Sequence, residues 1–140
     1  MEDNYIKEAV DEAIDDVELI RQGNPPITVS VQDGVVTLAG VVMSGQMHRL
    51  ALMAAATREG VVKVIDGLYE DRDLEIAVAG RLAEDPAIDA LRPPILVSSY
   101  KGRVTLTGVI DSEEMAERAL MVAAQTPGVL DVYSALKVIA

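Results

Sequence analysis

The chain contains one sequence pattern twice, at an offset of 68 residues. Residues 25–44 read PPITVSVQDGVVTLAGVVMS, and residues 93–112 read PPILVSSYKGRVTLTGVIDS. When residues 5–72 are laid on residues 73–140 without a gap, 25 of the 68 positions are identical. A repeat in fixed register constrains the fold strongly, because each copy must form the same structural unit. We therefore predict two domains, residues 1–70 and 71–140.

Each copy begins with apolar residues at helical spacing. In the first copy the apolar stripe runs from Ile6 to Val17, and acidic residues occupy the opposite face. Pro25 and Pro26 end this helix, because neither can donate to a helical hydrogen-bond ladder. In the second copy the stripe recurs, and Asp85-Pro86 predicts a break followed by a short second helix.

A β-hairpin is predicted next in each copy. Apolar and polar residues alternate on both sides of Asp33-Gly34, and the equivalent turn in the second copy is Lys101-Gly102. Gly40 lies on the same side of its strand as Leu38. There we expect a bulge, or the close approach of a helix backbone that a Cβ would block.

A second helix and a third strand complete each copy. Ser44 is a predicted N-cap, and Asp111 with Glu114 has the spacing of a capping box. Gly60 matches the C′ position of the helix that follows Ser44. We expect the third strands at residues 61–65 and 129–138, and a short charged joint at residues 69–72.

The predicted fold class is therefore α+β. The chain would form two tandem αββαβ units, each a three-stranded mixed sheet with two helices on one face. If the second and third strands are parallel, the helix between them forms a right-handed crossover. Units of about 70 residues are near the lower size limit of stable domains. We therefore expect the two copies to pack on each other or on a second chain.

The charge of the chain restricts its partners. The net charge is −11, and residues 2–18 hold eight acidic residues against one lysine, Lys7. A field of this sign opposes nucleic-acid phosphates and anionic lipid headgroups. We predict no nucleic-acid partner and regard lipid as disfavoured. The expected partners are a second copy of the chain, in a homo-oligomer, or another protein.

No group of residues in the sequence points to catalysis. The chain has no cysteine and one histidine, His48, which we expect to be an ordinary surface residue. With no second histidine or cysteine to share a metal, we predict no metal site, no cofactor and no enzyme activity. Six glycines recur in register, but no phosphate-binding motif contains them, so turn and packing roles are predicted for Gly34, Gly40, Gly60, Gly102, Gly108 and Gly128.

The sheet face turned away from the helices is the candidate binding surface. Strand alternation predicts that this face is short and mostly uncharged. Either it is buried between two units or two chains, or it docks a ligand or partner. Its candidate binding residues are Thr28, Ser30, Thr37, Leu96, Ser98, Tyr100, Thr105 and Thr107.

The sequence also gives an expected compartment. Residues 1–16 lack the basic and apolar regions of a secretory signal, and no apolar run approaches about 20 residues, the length of a membrane span. We expect the protein to be cytoplasmic.

These motifs resemble the BON domain, a family named for bacterial osmotically inducible and nodulation proteins. The shared pattern is I-x-V, then G-x-V-T-L-x-G-x-V-x-S, an alanine-rich helix and G-V-x-x-V. It is carried first by Ile27, Val29, Gly34, Val36, Thr37, Leu38, Gly40, Val41, Ser44, Gly60, Val61 and Val64. It is carried again by Ile95, Val97, Gly102, Val104, Thr105, Leu106, Gly108, Val109, Ser112, Gly128, Val129 and Val132.

The resemblance implies an αββαβ module that is usually not an enzyme. It implies three functions: a binding, interaction or ligand-sensing module; association with phospholipid or membrane surfaces in stress or envelope maintenance; and sensing of a cation such as potassium. Many family members are exported to the bacterial envelope. Because residues 1–16 do not resemble an export signal and the sequence has no cysteine for lipidation, we expect this chain to depart from that pattern.

Overall fold

The computed structural model describes residues 1–139 and divides into two compact units, Met1–Glu70 and a second unit that begins at Asp71. The first unit contains α1 (Asp3–Asp15), α2 (Glu18–Gly23), β1 (Ile27–Gln32), β2 (Val35–Val42), α3 (Gly45–Ala56) and β3 (Lys63–Glu70). The second contains α4 (Asp71–Leu82), α5 (Pro86–Asp89), β4 (Leu96–Tyr100), β5 (Arg103–Ile110), α6 (Glu113–Ala124) and β6 (Asp131–Val138).

Each unit has one mixed three-stranded sheet with its hairpin strands antiparallel. The strand orders are β1-β2-β3 and β4-β5-β6. In the first sheet β1 pairs antiparallel with β2, and β2 pairs parallel with β3, so that Leu38 lies between Val29 and Asp66. The second sheet repeats this pairing, with Leu106 between Val97 and Ser134. The predicted fold class of two tandem αββαβ units is confirmed.

Helices cover one face of each sheet, and each unit has its own hydrophobic core. In the first unit α1 buries Ile6, Val10 and Ile14 against the inward-facing residues of β2, which include Val36 and Leu38. In the second unit α4 buries Val78 and Leu82 against Val104, Leu106 and Ile110 of β5. Small residues let the third helix of each unit approach its sheet closely: Ala51 and Ala55 in α3, and Ala119 and Ala123 in α6.

An aspartate on the first helix of each unit binds the hairpin turn. Asp71 is buried, and its carboxylate accepts hydrogen bonds from the backbone N–H groups of Lys101 at 2.8 Å and Gly102 at 2.9 Å, and from Ser99 Oγ at 2.7 Å. Asp3 accepts the equivalent N–H groups of Asp33 and Gly34 at 2.9 and 3.1 Å. Both turns have two consecutive residues at positive φ, which leaves their N–H groups free to be bound by a carboxylate.

The first helix of both units is broken, not only that of the second. The predicted break at Asp85-Pro86 is confirmed, and Asp85 accepts hydrogen bonds from the N–H groups of Ala87 and Ile88. The first unit breaks at the equivalent place without a proline, because Val17 takes an extended conformation between α1 and α2.

Two glycine predictions need correction. The backbone that approaches Gly40 belongs to Pro26, just before β1, and not to a helix; a Cβ on Gly40 would collide with the Pro26 carbonyl oxygen. Gly60 is not the C′ residue of α3, because that helix ends at Ala56. Gly60 instead lies in the turn that follows, at a φ of 88°.

Three boundary predictions also need correction. The third strand of the first unit begins at Lys63, because the N–H groups of Val61 and Val62 bind the turn carbonyls of Arg58 and Gly34. No joint separates the units in sequence, since β3 ends at Glu70 and α4 begins at the next residue. The final strand likewise starts at residue 131 and not at residue 129.

The cap of α6 is the last correction. Ser112, and not Asp111, is the N-cap, and its hydroxyl accepts the N–H of Met115 at 3.1 Å. Ser44 caps α3 through Met47 in the same way, as predicted.

Candidate functional site

The outer face of the second sheet is an exposed surface with large apolar side chains. Leu96 and Tyr100 are 65% and 64% exposed, and Tyr133 and Val109 are 58% and 43% exposed. The strand register places Leu96 opposite Thr107, and Thr105 between Ser98 and Tyr133. We call the outward-facing residues of β4, β5 and β6 the second outer face. It contains all five candidate residues predicted in this unit: Leu96, Ser98, Tyr100, Thr105 and Thr107.

The equivalent surface of the first unit exposes fewer large apolar side chains, namely Ile65 at 43% and Tyr69 at 40%. Thr28 and Ser30 are exposed, Thr37 is half-buried, and Ser30 lies opposite Thr37. Thr28 donates a long hydrogen bond of 3.4 Å to the Ala39 carbonyl. A shallow depression of about 410 Å³ covers part of this face and is lined by Ser30, Thr37, Ile65 and neighbouring residues. The repeat thus carries two outer faces of different chemistry.

Basic groups accompany the apolar residues of the second outer face. The Lys101 ammonium lies 5.5 Å from the centre of the Tyr100 ring, a cation–π distance. Arg103 Nε lies 3.2 Å from an Asp131 carboxylate oxygen, and both of these side chains are exposed. Lys137 is exposed at the end of the same face, opposite Val109. The face therefore has a local positive excess on an acidic protein.

A groove between the first helix pair and the first strand recurs in both units. In the first unit it has a volume of about 330 Å³ and an apolar floor that includes Ile14 and Ile20. Its rim holds Asp11, Glu12 and Asp15. In the second unit the groove measures about 320 Å³, and the equivalent rim residues are small, namely Ala79, Gly80 and Ala83. The grooves share a shape but differ in charge.

His48 is not an ordinary surface residue, because its ring joins α3 to β3. The side chain is 19% exposed. Its Nδ1 lies 2.7 Å from Glu70 Oε2, and its Nε2 lies 2.8 Å from Asp66 Oδ2. Burial by itself lowers the pKa of His48, but the hydrogen bonds and charges of Glu70 and Asp66 together outweigh it, so the pKa is raised above 6.5.

Sequence reasoning missed this cluster for a physical reason. Asp66 and Glu70 lie 18 and 22 residues beyond His48. They meet it only because β3 returns parallel to β2 beneath α3. The sequence did contain one signal that could have revealed the cluster. Asp66 and Glu70 are spaced so that they share the buried face of a strand with Leu68, where acidic residues need a partner.

Comparison with known proteins identifies the fold family. The family model described as BON domain matches residues 2–68 and again residues 70–140. The chain therefore belongs to the BON domain family and carries two tandem copies of the domain. The resemblance of the sequence motifs to this family is confirmed.

One curated protein and two solved structures are similar to this chain. Osmotically-inducible protein Y of Escherichia coli (strain K12) is 29% identical over 148 residues, an alignment that covers 98% of this chain and 73% of that protein. CdsD, a structural protein of the Type III secretion system of Chlamydia trachomatis, matches with a TM-score of 0.76 at 14% identity. That match covers 99% of this chain and 64% of CdsD, so the chain spans less than two thirds of that structure.

A second structure, of the C-terminal domain of CdsD, matches with a TM-score of 0.62 at 19% identity over 89% of this chain and 63% of that chain. Both CdsD matches show the fold alone.

Residues 1–139 contain neither a membrane-spanning helix nor a cluster of side chains that could hold a metal ion. None of the helices in this range is long and apolar enough to cross a membrane. Within the same residues, no group of three or more histidine and acidic side chains is arranged to hold a metal ion.

Proposed function

We propose that the protein is a non-catalytic binding module that docks a protein partner, or a second copy of itself, on the second outer face. The observation that carries this proposal is the exposure of four large apolar side chains on one sheet face: Leu96, Tyr100, Val109 and Tyr133. Exposed apolar and aromatic residues grouped in this way are typical of interaction surfaces.

Membership of the BON domain family and the placement of the titratable groups support the non-catalytic part of the proposal. An active site generally combines a concave pocket with groups of perturbed pKa. The pKa of His48 is raised, and the pKa of Asp85 is lowered. Neither of them lines one of the grooves.

Site-specific photo-crosslinking in cells tests the docking surface. A photoreactive amino acid placed at Leu96 or Tyr133 is expected to give a discrete covalent adduct with the partner. The matched control position is Ile76 on α4, which is 62% exposed but lies outside the second outer face. Leu96→Lys should remove the adduct formed from position 133, whereas Ile76→Lys should not.

Equal crosslinking from all three positions, or from none, would overturn the proposal. The mass of the adduct separates the two occupants. A mass of twice the chain identifies a second copy, and any other mass identifies a different protein.

Association with a phospholipid surface is the second candidate function. Basic and aromatic side chains occur together on the second outer face, where Lys101, Arg103 and Lys137 flank Tyr100 and Tyr133. The net charge of −11 opposes anionic membranes. Flotation with anionic and with zwitterionic liposomes tests this function. Binding that is lost in Leu96→Asp would support it, and absence from both lipid fractions would rule it out.

Cation sensing is the third candidate, favoured by the acidic rim of the groove in the first unit. Asp11, Glu12 and Asp15 surround the groove, although Asp11 is already paired with Lys7 at 2.7 Å. If this rim holds potassium, the melting temperature should rise more in KCl than in NaCl at equal ionic strength, and Asp15→Asn should abolish the difference. Equal melting temperatures in both salts would exclude potassium sensing.

The biological setting is also a proposal. Because a curated relative is named for osmotic induction, we infer that the abundance of this protein rises after an osmotic upshift. Immunoblots before and after the upshift test this. The cytoplasmic location predicted from the sequence can be tested by fractionating cells that carry the intact gene, and recovery in the periplasmic fraction would contradict it.

A further inference from the structure

His48 is held on both sides by carboxylates of a neighbouring strand. Glu70 Oε2 is 2.7 Å from Nδ1, and both oxygens of Asp66 are within 3.0 Å of Nε2. The three residues join the first turns of α3 to β3, the edge strand of the first sheet. We call them the His48 clasp.

This geometry needs a doubly protonated ring. An ionised carboxylate only accepts hydrogen bonds, so both ring nitrogens must donate. A neutral imidazole has one N–H and one lone pair, and the lone pair would then face one of the two carboxylates. Loss of the ring proton therefore replaces an attraction with a repulsion on one side of the clasp.

The surrounding charges are few and identifiable. From β3, the groups that act on the ring are Asp66 and Glu70. From α3, the Arg49 guanidinium borders the space next to Gly45, and the Glu70 carboxylate borders the same space. Asp66 also accepts the N–H of Leu68 at 3.0 Å, which fixes its side chain independently of the histidine.

The second unit provides an internal comparison. The residues equivalent to His48, Asp66 and Glu70 are Ala116, Ser134 and Val138. Ser134 keeps the local role of Asp66, because its hydroxyl accepts the N–H of Leu136 at 3.3 Å. The ionisable groups that join helix to strand occur at this position in the first unit only, so the repeated fold does not require them.

We propose that the His48 clasp is a proton-responsive fastening of α3 to β3 in the first unit, closed when the ring is protonated and released when it loses its proton. The inference stands apart from the proposed docking function, because it concerns the helix-covered side of the other unit.

The direction of the pH effect follows from the raised pKa of His48. A group whose pKa is raised by folding adds stability that is fully present below its unfolded value, near 6.5. This stability is lost as the pH rises through the folded value. The clasp should therefore be closed in mildly acidic solution and should open as the solution becomes alkaline.

The test uses the full chain without a histidine tag, because His48 is the only histidine and its ring resonances need no assignment. We expect the NMR titration midpoint of the ring to lie above 6.5 in the wild type and to fall in Glu70→Gln. A wild-type midpoint at or below 6.5 would overturn the proposal.

Hydrogen exchange measures how stably α3 is held against β3. Amide protection factors, corrected for the intrinsic pH dependence of exchange, should fall at least about threefold in α3 and β3 across the titration, and less in α6 and β6. His48→Gln should remove this pH dependence, since glutamine does not titrate in this range. Ala116→Gln is the matched control and should leave it in place. Equal responses in the two units, or an unchanged response in His48→Gln, would refute the fastening.

Discussion

At the scale of single residues, one carboxylate in each unit ties the first helix to the hairpin turn by binding backbone N–H groups. Asp3 and Asp71 occupy equivalent positions, and each accepts the two N–H groups of its hairpin turn. They differ in environment. Asp71 is buried and also accepts the Ser99 hydroxyl, whereas Asp3 is only half-buried. Hydrogen bonds to a charged group are strong, and a buried donor that loses its acceptor is costly.

Asp71→Asn should therefore destabilise the protein more than Asp3→Asn. An amide nitrogen cannot accept a hydrogen bond and would face an N–H donor of the turn. We expect a loss of about 2–3 kcal/mol for Asp71→Asn and about 1 kcal/mol for Asp3→Asn. Urea unfolding measures both. Equal losses would mean that the extra bond and the burial of Asp71 contribute nothing.

Asp85 should make the stability of the protein depend on pH in acidic solution. Its pKa is lowered chiefly by the hydrogen bond from Arg118, at 2.9 Å, and further by the N–H groups of Ala87 and Ile88, against the opposing effect of desolvation. A carboxylate with a lowered pKa adds stability above its unfolded value of 3.8, and this stability is lost as the pH falls through the folded value.

The stability difference between the wild type and Asp85→Asn should accordingly shrink as the pH is lowered from about 5 towards 3. Urea unfolding at several pH values in this range measures the difference. A difference that stays constant with pH would show that Asp85 acts through its shape and not through its charge.

At the scale of elements, the close approach of β2 to the residue before β1 depends on one glycine, Gly40. Gly40 has a φ of 121°, and the Pro26 carbonyl oxygen occupies the space where its Cβ would lie. The Val41 N–H donates to the same oxygen at 3.0 Å. The equivalent Gly108 is nearer to extended backbone, at a φ of 158°, and its Cβ would lie 3.4 Å from the nearest atom, Ile95 Cα.

Gly40→Ala should thus cost about 3 kcal/mol or more, and Gly108→Ala about 1 kcal/mol. The reason is that backbone atoms beside Gly40 must move to admit a methyl group, whereas those beside Gly108 need only a small adjustment. Thermal and urea unfolding of the two variants measure the contrast. Similar costs at the two sites would show that the close approach at Pro26 relaxes easily.

At the scale of the whole molecule, the duplication produced two cores. The buried cluster of the first unit is formed by residues from Ile6 to Leu68, and that of the second by residues from Val78 to Ala123. Each cluster combines helix and strand residues of its own repeat. The two copies share the core positions and differ in the outer face, the groove rim and the clasp.

Fragments 1–70 and 71–140 should therefore fold when expressed separately, with modest melting temperatures because domains of this size are marginally stable. Amide NMR spectra of the two fragments, compared with the spectrum of the intact protein, test this. Poorly dispersed amide signals from either fragment would show that its core cannot keep that fragment folded by itself.

The sequence alone determined the duplication, the order of helices and strands and the face on which each strand is buried, because periodicity and turn residues are local and occur twice. Pro86, for example, marked the helix break in the second unit, but Val17 carried no such signal in the first. The candidate residues of the outer faces were also placed by alternation alone.

Only the tertiary structure decided which distant groups meet. Asp71 binds a turn 30 residues away, and His48 meets Asp66 and Glu70 on a strand that returns through a parallel crossover. Such pairs depend on strand register and helix placement, which many residues set together. No local pattern encodes them, and they carry the differences between two units whose folding pattern is the same.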